Sequence, residues 1–247
     1  MLCLIFCVIY CNLRYRNRHY SKEVLVKFYD REVELRLLRK IKSMSLDYSK
    51  MTTIVGRRRI GKTRLILEAI KDELYVYFFV SRKSEALLCA EFVEEIKARL
   101  KIPIFGEIKS FKDIFALLLE FSRNHPLTVV IDEFQDFYFI NPSVYSSIQH
   151  LWDMNKDSSK MHLILCGSIY TLMKKIFEQS KQPFFGRTDK RIMLKPFLPE
   201  ILARILRDFD SFSPENLLSF YIITGGIAKY VELMTNERAF SLSDMLD

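Results

Sequence analysis

Apolar residues recur along this chain in two periods. Residues 51–55, 74–80, 127–131 and 163–166 are short β-branched or apolar runs, and each reads as a buried strand. Between them the apolar positions fall three and four apart. Leu88, Phe92, Ile96 and Leu100 make one helical face, residues 111–123 another, and residues 144–152 a third that starts after the breaker pair Asn141-Pro142. Near the start, Leu35, Leu38 and Ile41 form the apolar face of a first helix, with Asp30 as its expected N-cap. Residues 190–194 read as a short last strand. From Leu198 onward the pattern is helical, with Pro199 in a first turn and further helices near 214–223 and 227–234. Strands alternating with helices predict an α/β fold, a doubly wound parallel sheet covered on both faces.

Composition narrows the class without changing it. The 247 residues are 49% hydrophobic and 28% charged, with seven Gly and seven Pro. That is enough for one cored domain with a smaller appendage, and it excludes a linker-rich or low-complexity chain.

The chemistry enters after the first buried run. Gly56-Arg57-Arg58-Arg59-Ile60-Gly61-Lys62-Thr63 reads G-x-x-x-x-G-K-T, between a predicted strand and the start of a helix at Arg64. That context is the one a phosphate-binding P-loop requires. Glycine allows the backbone angles and close approach that let N–H groups point at phosphate oxygens, aided by the helix N-terminus. Lys62 supplies a point charge for the β and γ oxygens, and Thr63 a hydroxyl for Mg²⁺. A chance match in a basic loop is the competing reading, and the flanking strand and helix weigh against it. The second half lies downstream, where residues 127–131 lead into Asp132 and Glu133. Ligands gather at the carboxyl ends of parallel strands, so both carboxylates are expected beside the P-loop. Asp132 is the expected Mg²⁺ partner and Glu133 the group that polarises the attacking water. An ordinary acidic turn is the alternative.

With these motifs in place, the sequence resembles the archaeal-type ATPase family of STAND P-loop NTPases, relatives of AAA+ proteins. The resemblance runs from residue 27 to 235. It rests on Phe28-Tyr29-Asp30-Arg31-Glu32, the P-loop, Val129 through Gln135, Leu163 through Ser168, Pro183-Phe184-Phe185-Gly186-Arg187, Leu194-Lys195-Pro196-Phe197 and Thr224-Gly225-Gly226-Ile227-Ala228-Lys229-Tyr230. Such proteins commonly carry proline after the Gly-Gly-x of the last motif, where this chain has Ala228. The resemblance implies strand order 5-1-4-3-2, with a P-loop ATPase core over 27–197 and the start of a helical lid over 198–247. It implies Asp30 and Arg31 as base-side contacts. Ser168 would stand where AAA+ relatives keep a polar γ-phosphate sensor, with a helix N-cap for residues 169–177 as the alternative. Arg187 would be an arginine finger, with a surface arginine as the alternative. It also implies that similar chains continue past the lid, so apolar surface is expected near residues 233–246.

The net charge of +8 raises the question of nucleic acid. Residues 1–31 hold Arg14, Arg16, Arg18, Lys22, Lys27 and Arg31 against Glu23 and Asp30, and Arg57, Arg58 and Arg59 face a polyanionic nucleotide, so little excess remains for a DNA groove. Residues 1–10 are almost wholly apolar, with Cys3, Cys7 and Cys11 following at four-residue spacing. The run is near half the roughly 20 residues a bilayer span needs, and it lacks a secretory signal's basic start and cleavage site. The cysteine spacing is not a zinc pattern. Residues 1–26 are therefore read as an extension outside the fold, no membrane partner is expected, and Cys89 and Cys166 read as reduced, buried cysteines of a cytoplasmic protein. The expected activity is ATP binding with slow Mg²⁺-dependent hydrolysis, driving a conformational or assembly switch through self-association or a protein partner. The alternatives are a DNA-associated AAA+-like motor or loader and a non-hydrolysing ATP-binding scaffold.

Overall fold

The computed structural model describes residues 28–179 and 182–246. The reading of residues 1–26 lies outside them. In chain order the elements are α1 (Glu32–Met44), β1 (Lys50–Val55), α2 (Lys62–Ile70), β2 (Tyr75–Phe79), α3 (Glu85–Leu100), α4 (Phe111–Asn124) and β3 (Leu127–Asp132). A single 3₁₀ turn (Phe134–Asp136) then leads into α5 (Phe137–Ile140), α6 (Ser143–Asn155), β4 (Met161–Gly167), α7 (Tyr170–Glu178) and β5 (Lys190–Met193). Four helices close the chain: α8 (Pro199–Asp208), α9 (Pro214–Thr224), α10 (Ala228–Glu237) and α11 (Leu242–Leu246).

The five strands are all parallel, in the order β2-β3-β4-β1-β5. Read from the other edge, that is the order 5-1-4-3-2. The central strands β1, β3 and β4 are buried along their whole length, as both-faces-covered parallel strands must be, while edge strand β2 alternates. Side chains leave a strand on alternate faces. On one face Met51, Val55, Val129, Ile131, Leu163 and Leu165 pack under α3, α4, α6 and α7. On the other, Ile54, Val130, Ile164 and Cys166 meet Leu35 and Leu38 of α1 and Leu65, Ile66 and Ile70 of α2. A third cluster joins Tyr29 to Leu202, Ile205 and Leu206 of α8, Phe220 of α9, Val231 of α10 and Phe240.

The first helix carries Leu35, Leu38 and Ile41 on its buried face, as the spacing predicts. Its cap differs. The N-cap is Arg31 in the left-handed region at φ 77°, with no side-chain cap bond, and Asp30 precedes it at φ 59°. The Asp30 carboxylate instead lies 3.8 Å from the Arg31 guanidinium. Exposed apolar surface also falls elsewhere than expected. Within 233–246, Leu242 is exposed, but Phe240 is buried against Phe209 and Phe220. The larger exposure is on α9, where Leu218 and Ile222 are 60% and 69% exposed. Among the described residues no helix is long and apolar enough to cross a membrane, and Cys89 and Cys166 are free and buried.

Candidate active site

Register puts the carboxyl ends of the central strands level. Val55 of β1 pairs with Gly167 of β4, and Asp132 of β3 with Phe79 of β2. The chain leaves β1 for the far edge of the sheet and returns through β3 and β4, and the crevice outside that reversal is where open α/β sheets hold ligands. The loop after β1 occupies it. Gly56 is packed so closely that a Cβ there would stand 3.0 Å from the Leu194 carbonyl oxygen, and Gly61 caps α2 at φ 96°. Arg59 adopts φ 66° without being glycine, a strained position of the kind that collects at binding sites. Lys62 is buried, and its ammonium donates to the carbonyls of Gly56 at 2.9 Å and Arg57 at 3.1 Å. The cation is thereby held across the loop mouth, beside the orphan N–H groups of α2. The side chains of Arg57, Arg58 and Arg59 are exposed while Ile60 is buried, so the loop turns its backbone inward and its guanidinium groups outward.

The first turn of α2 crosses over β4 and brings Thr63 to Asp132, 69 positions on, where the Thr63 hydroxyl donates to Asp132 Oδ2 at 3.2 Å. The Tyr77 hydroxyl donates to the same oxygen, and burial together with this carboxylate pushes the Tyr77 phenol well above its usual range. Cys166 lies close by, its thiol pushed up by burial and by Asp132. A hydroxyl and a carboxylate are hard oxygen donors and suit Mg²⁺, which takes one or two protein donors and completes its shell with phosphate and water. No cluster of three or more His, Cys, Asp or Glu residues that could hold a metal by themselves occurs among the described residues.

Glu133 follows Asp132 at φ 54°, again left-handed. Its N–H donates to Asp132 Oδ1 at 2.9 Å, and its carboxylate oxygen Oε2 accepts from Ser168 Oγ at 2.7 Å and from Gln135 Nε2 at 2.5 Å. Ser168 therefore does not cap the next helix. The cap of α7 is Ile169, and the Ser168 hydroxyl is directed at Glu133. Arg187 stands apart from this group. Its guanidinium makes three hydrogen bonds to Asp153 on α6, at 2.8–3.0 Å, and these hold the Asp153 carboxyl below its usual range.

A cleft opens between the P-loop and the C-terminal helices. Phe28, Arg31, Ile60, Phe197, Ala228 and Val231 line it. Arg31 is nearly buried, donates to the Lys195 carbonyl at 2.6 Å, and lies 5.0 Å from the Phe197 ring centre. The helices touch the loop directly. The Lys229 N–H at the start of α10 donates to the Arg59 carbonyl at 3.1 Å, and Arg59 Nη1 donates to the Tyr230 hydroxyl at 3.2 Å. Ala228, in the position where proline is common in similar chains, approaches Gly61.

Comparison with known proteins agrees with this geometry. A family model described as an ATPase domain predominantly from Archaea matches residues 28–234. The chain belongs to this archaeal ATPase family. Within the archaeal ATPase domain, the sequence predicted the P-loop, Asp132, Glu133 and Ser168, and these come together. It assigned no role to Tyr77, a tyrosine in a strand with no further signal, and it included Gln135 only as the last residue of the Val129–Gln135 segment, without a role of its own. An uncharacterized protein of Methanocaldococcus jannaschii is 26% identical over 206 residues, which are 83% of this chain and 43% of the relative. The chain thus spans less than half the length of the curated relative it matches. Among solved structures, a Walker-type ATPase of Pyrococcus abyssi superposes with TM-score 0.69 at 19% identity, covering 93% of this chain and 73% of that one. Cdc6p of Pyrobaculum aerophilum superposes with TM-score 0.63 at 20% identity, covering 88% and 63%. At such identities these matches establish the fold, that of P-loop ATPases.

Proposed function

We propose that the chain binds ATP with Mg²⁺ in the P-loop crevice and hydrolyses it slowly, with the nucleotide state read by the C-terminal helices. The observation that carries this is the convergence of three distant segments: Lys62 and Thr63 at the start of α2, Asp132-Glu133 after β3, and Ser168 after β4. Backbone N–H groups of residues 56–63, and Lys62 swung from its loop carbonyls, bind the phosphates. Thr63 and Asp132 would hold Mg²⁺, which when bound neutralises charge on the β and γ oxygens. Glu133 orients a water and takes its proton as the water oxygen bonds to the γ-phosphorus. The bond from that phosphorus to the bridging oxygen breaks, and its electron pair stays on ADP. Ser168 serves as the polar group between Glu133 and the γ-phosphate. The adenine enters the cleft beside Arg31 and Phe197, with Asp30 and Arg64 at its edge; the apolar walls and the absence of a guanine-specifying N-K-x-D in the sequence support that assignment.

The division into a core over 27–197 and a lid over 198–247 is part of the same proposal. The bonds from α10 to Arg59 support it, because any movement of the loop on phosphate binding is felt by that helix. Arg187 is assigned to holding α6 against the turn before β5, since Asp153 engages its guanidinium. The decisive experiment measures ATP affinity and steady-state hydrolysis, with and without Mg²⁺, on wild type and Glu133→Gln. Turnover in the wild type alone is expected. Binding without turnover in either would make the chain an ATP-gated scaffold, and turnover stimulated by added DNA would make it a DNA-associated motor or loader.

A further inference from the structure

Gln135 is fully buried two residues beyond Glu133, and its surroundings are unusual for a core position. One end of its amide is used: Nε2 donates to Glu133 Oε2. The other end, Oε1, is buried with no hydrogen-bond partner. A buried carbonyl left unpaired is destabilising, so an apolar residue would serve the core better. Space for the amide comes from Gly167, the last residue of β4. A Cβ there would stand 2.4 Å from Gln135 Oε1 and 2.5 Å from Met173 Sδ. Gly167 has no positive φ that would itself call for glycine. The 3₁₀ turn that carries Gln135 is fixed from below, where the Tyr145 hydroxyl donates to the carbonyls of Phe134 and Gln135 at 3.2 and 3.1 Å.

We infer that Gln135 is a positioning residue for hydrolysis, and that Gly167 is the seat that lets it act. This rests on the assignment of Glu133 to the attacking water. Gln135 and Ser168 both donate to Oε2, so they fix the carboxylate from one side. Among the described residues no hydrogen bond is made to the second oxygen, Oε1, which is left to accept from the water. A carboxylate on a left-handed residue has no helix or strand to hold its direction, and the buried amide supplies that constraint. Ser168 is half-buried at the rim and can exchange partners, whereas Gln135, enclosed under Gly167 and Met173, cannot. Gln135 touches neither nucleotide nor metal in this arrangement and acts only through Glu133.

The test compares Gln135→Met, which keeps length and apolar packing but removes the donor, with Gly167→Ala, which keeps the amide and fills its seat. Each is measured on the full chain for ATP affinity, for kcat, and for thermal unfolding. Both are expected to lower kcat about 100-fold, the effect of roughly 1 Å misplacement of a reacting group, while ATP affinity stays within about twofold. The double variant Glu133→Gln/Gln135→Met is expected to be no slower than Glu133→Gln alone, because residues acting as one unit are not additive. If Glu133→Gln is inactive and Gln135→Met turns over at the wild-type rate, the inference about Gln135 is overturned while the role of Glu133 stands. Wild-type turnover in Glu133→Gln overturns both. Further slowing in the double variant, or a parallel loss of ATP affinity, assigns Gln135 to structure alone. Should Gln135→Met fail to fold, Gly167→Ala carries the same comparison.

Discussion

Acid should weaken this fold through one buried histidine. His162 on β4 is enclosed between the sheet and α1. Its Nε2 pairs with Thr52 Oγ1 at 3.0 Å, and its Nδ1 has no partner. Burial, assisted by the nearby Lys42 cation, lowers its pKa from 6.5 to about 3. Lys42 is half-buried and lies 3.7 Å from Glu73, so a charged His162 would meet a cation whose nearby carboxylate is already engaged. Between pH 6.5 and 3 the unfolded chain therefore carries a proton on this residue that the folded chain does not. Stability then rises with pH across that window and falls as pH drops, by about 1.4 kcal/mol per unit. From pH 6.5 to 5 the loss is about 2 kcal/mol, within a total of roughly 5–15 kcal/mol for a domain. Urea unfolding at both pH values would measure it. The control is Thr52→Val/His162→Leu, which removes hydroxyl and imidazole together and leaves no orphaned polar partner. That chain should lose much less stability over the same interval. Asp153 is held below its usual value by the hydrogen-bonded Arg187, so its contribution is lost only at pH values below the interval from 6.5 to 5. An equal loss in the double variant would refute the assignment of the slope to His162.

Four further outcomes are expected. Lys62→Ala should abolish ATP binding, read by calorimetry, with the thermal transition little changed, because the ammonium bonds only to loop carbonyls. Glu133→Gln should retain ATP binding and lose hydrolysis in a phosphate-release assay. Arg187→Ala should leave turnover within about threefold; a drop near 1000-fold would instead identify an arginine finger. Gly226→Ala should uncouple the C-terminal helices from the core. Gly226 sits at φ 68° and accepts from the Phe197 N–H at 2.7 Å, and a Cβ there would stand 2.3 Å from the Phe197 carbonyl oxygen. Proteolysis between α8 and α10 should accelerate, and unchanged protection would count against that strut.

Features that depend on local order along the chain are legible before any fold is known. Apolar runs of four to seven residues with helical patterns between them specify a parallel sheet, since only strands covered on both faces read that way. The glycine and lysine spacing of residues 56–63 is likewise legible, because a backbone that must wrap phosphate restricts residue type at each step. Element bounds read from pattern stand within a few residues: 74–80 for Tyr75–Phe79, and 144–152 for Ser143–Asn155. Tertiary structure decided what depends on approach through space. Asp30 and Ser168 look like helix caps because their side chains favour capping, but Asp30 lies beside Arg31 and Ser168 binds Glu133. Arg187 has a finger's residue type, and only the structure shows that its guanidinium pairs with Asp153, 34 positions earlier. Tyr77 carries no local mark at all, and Gln135 is marked only as the end of the Val129–Gln135 segment, with nothing there to say what it touches. Their roles arise because parallel register sets the ends of β2, β3 and β4 side by side. A hydrogen bond between residues 55 positions apart, such as Tyr77 to Asp132, is fixed by that register and leaves no trace in either segment alone.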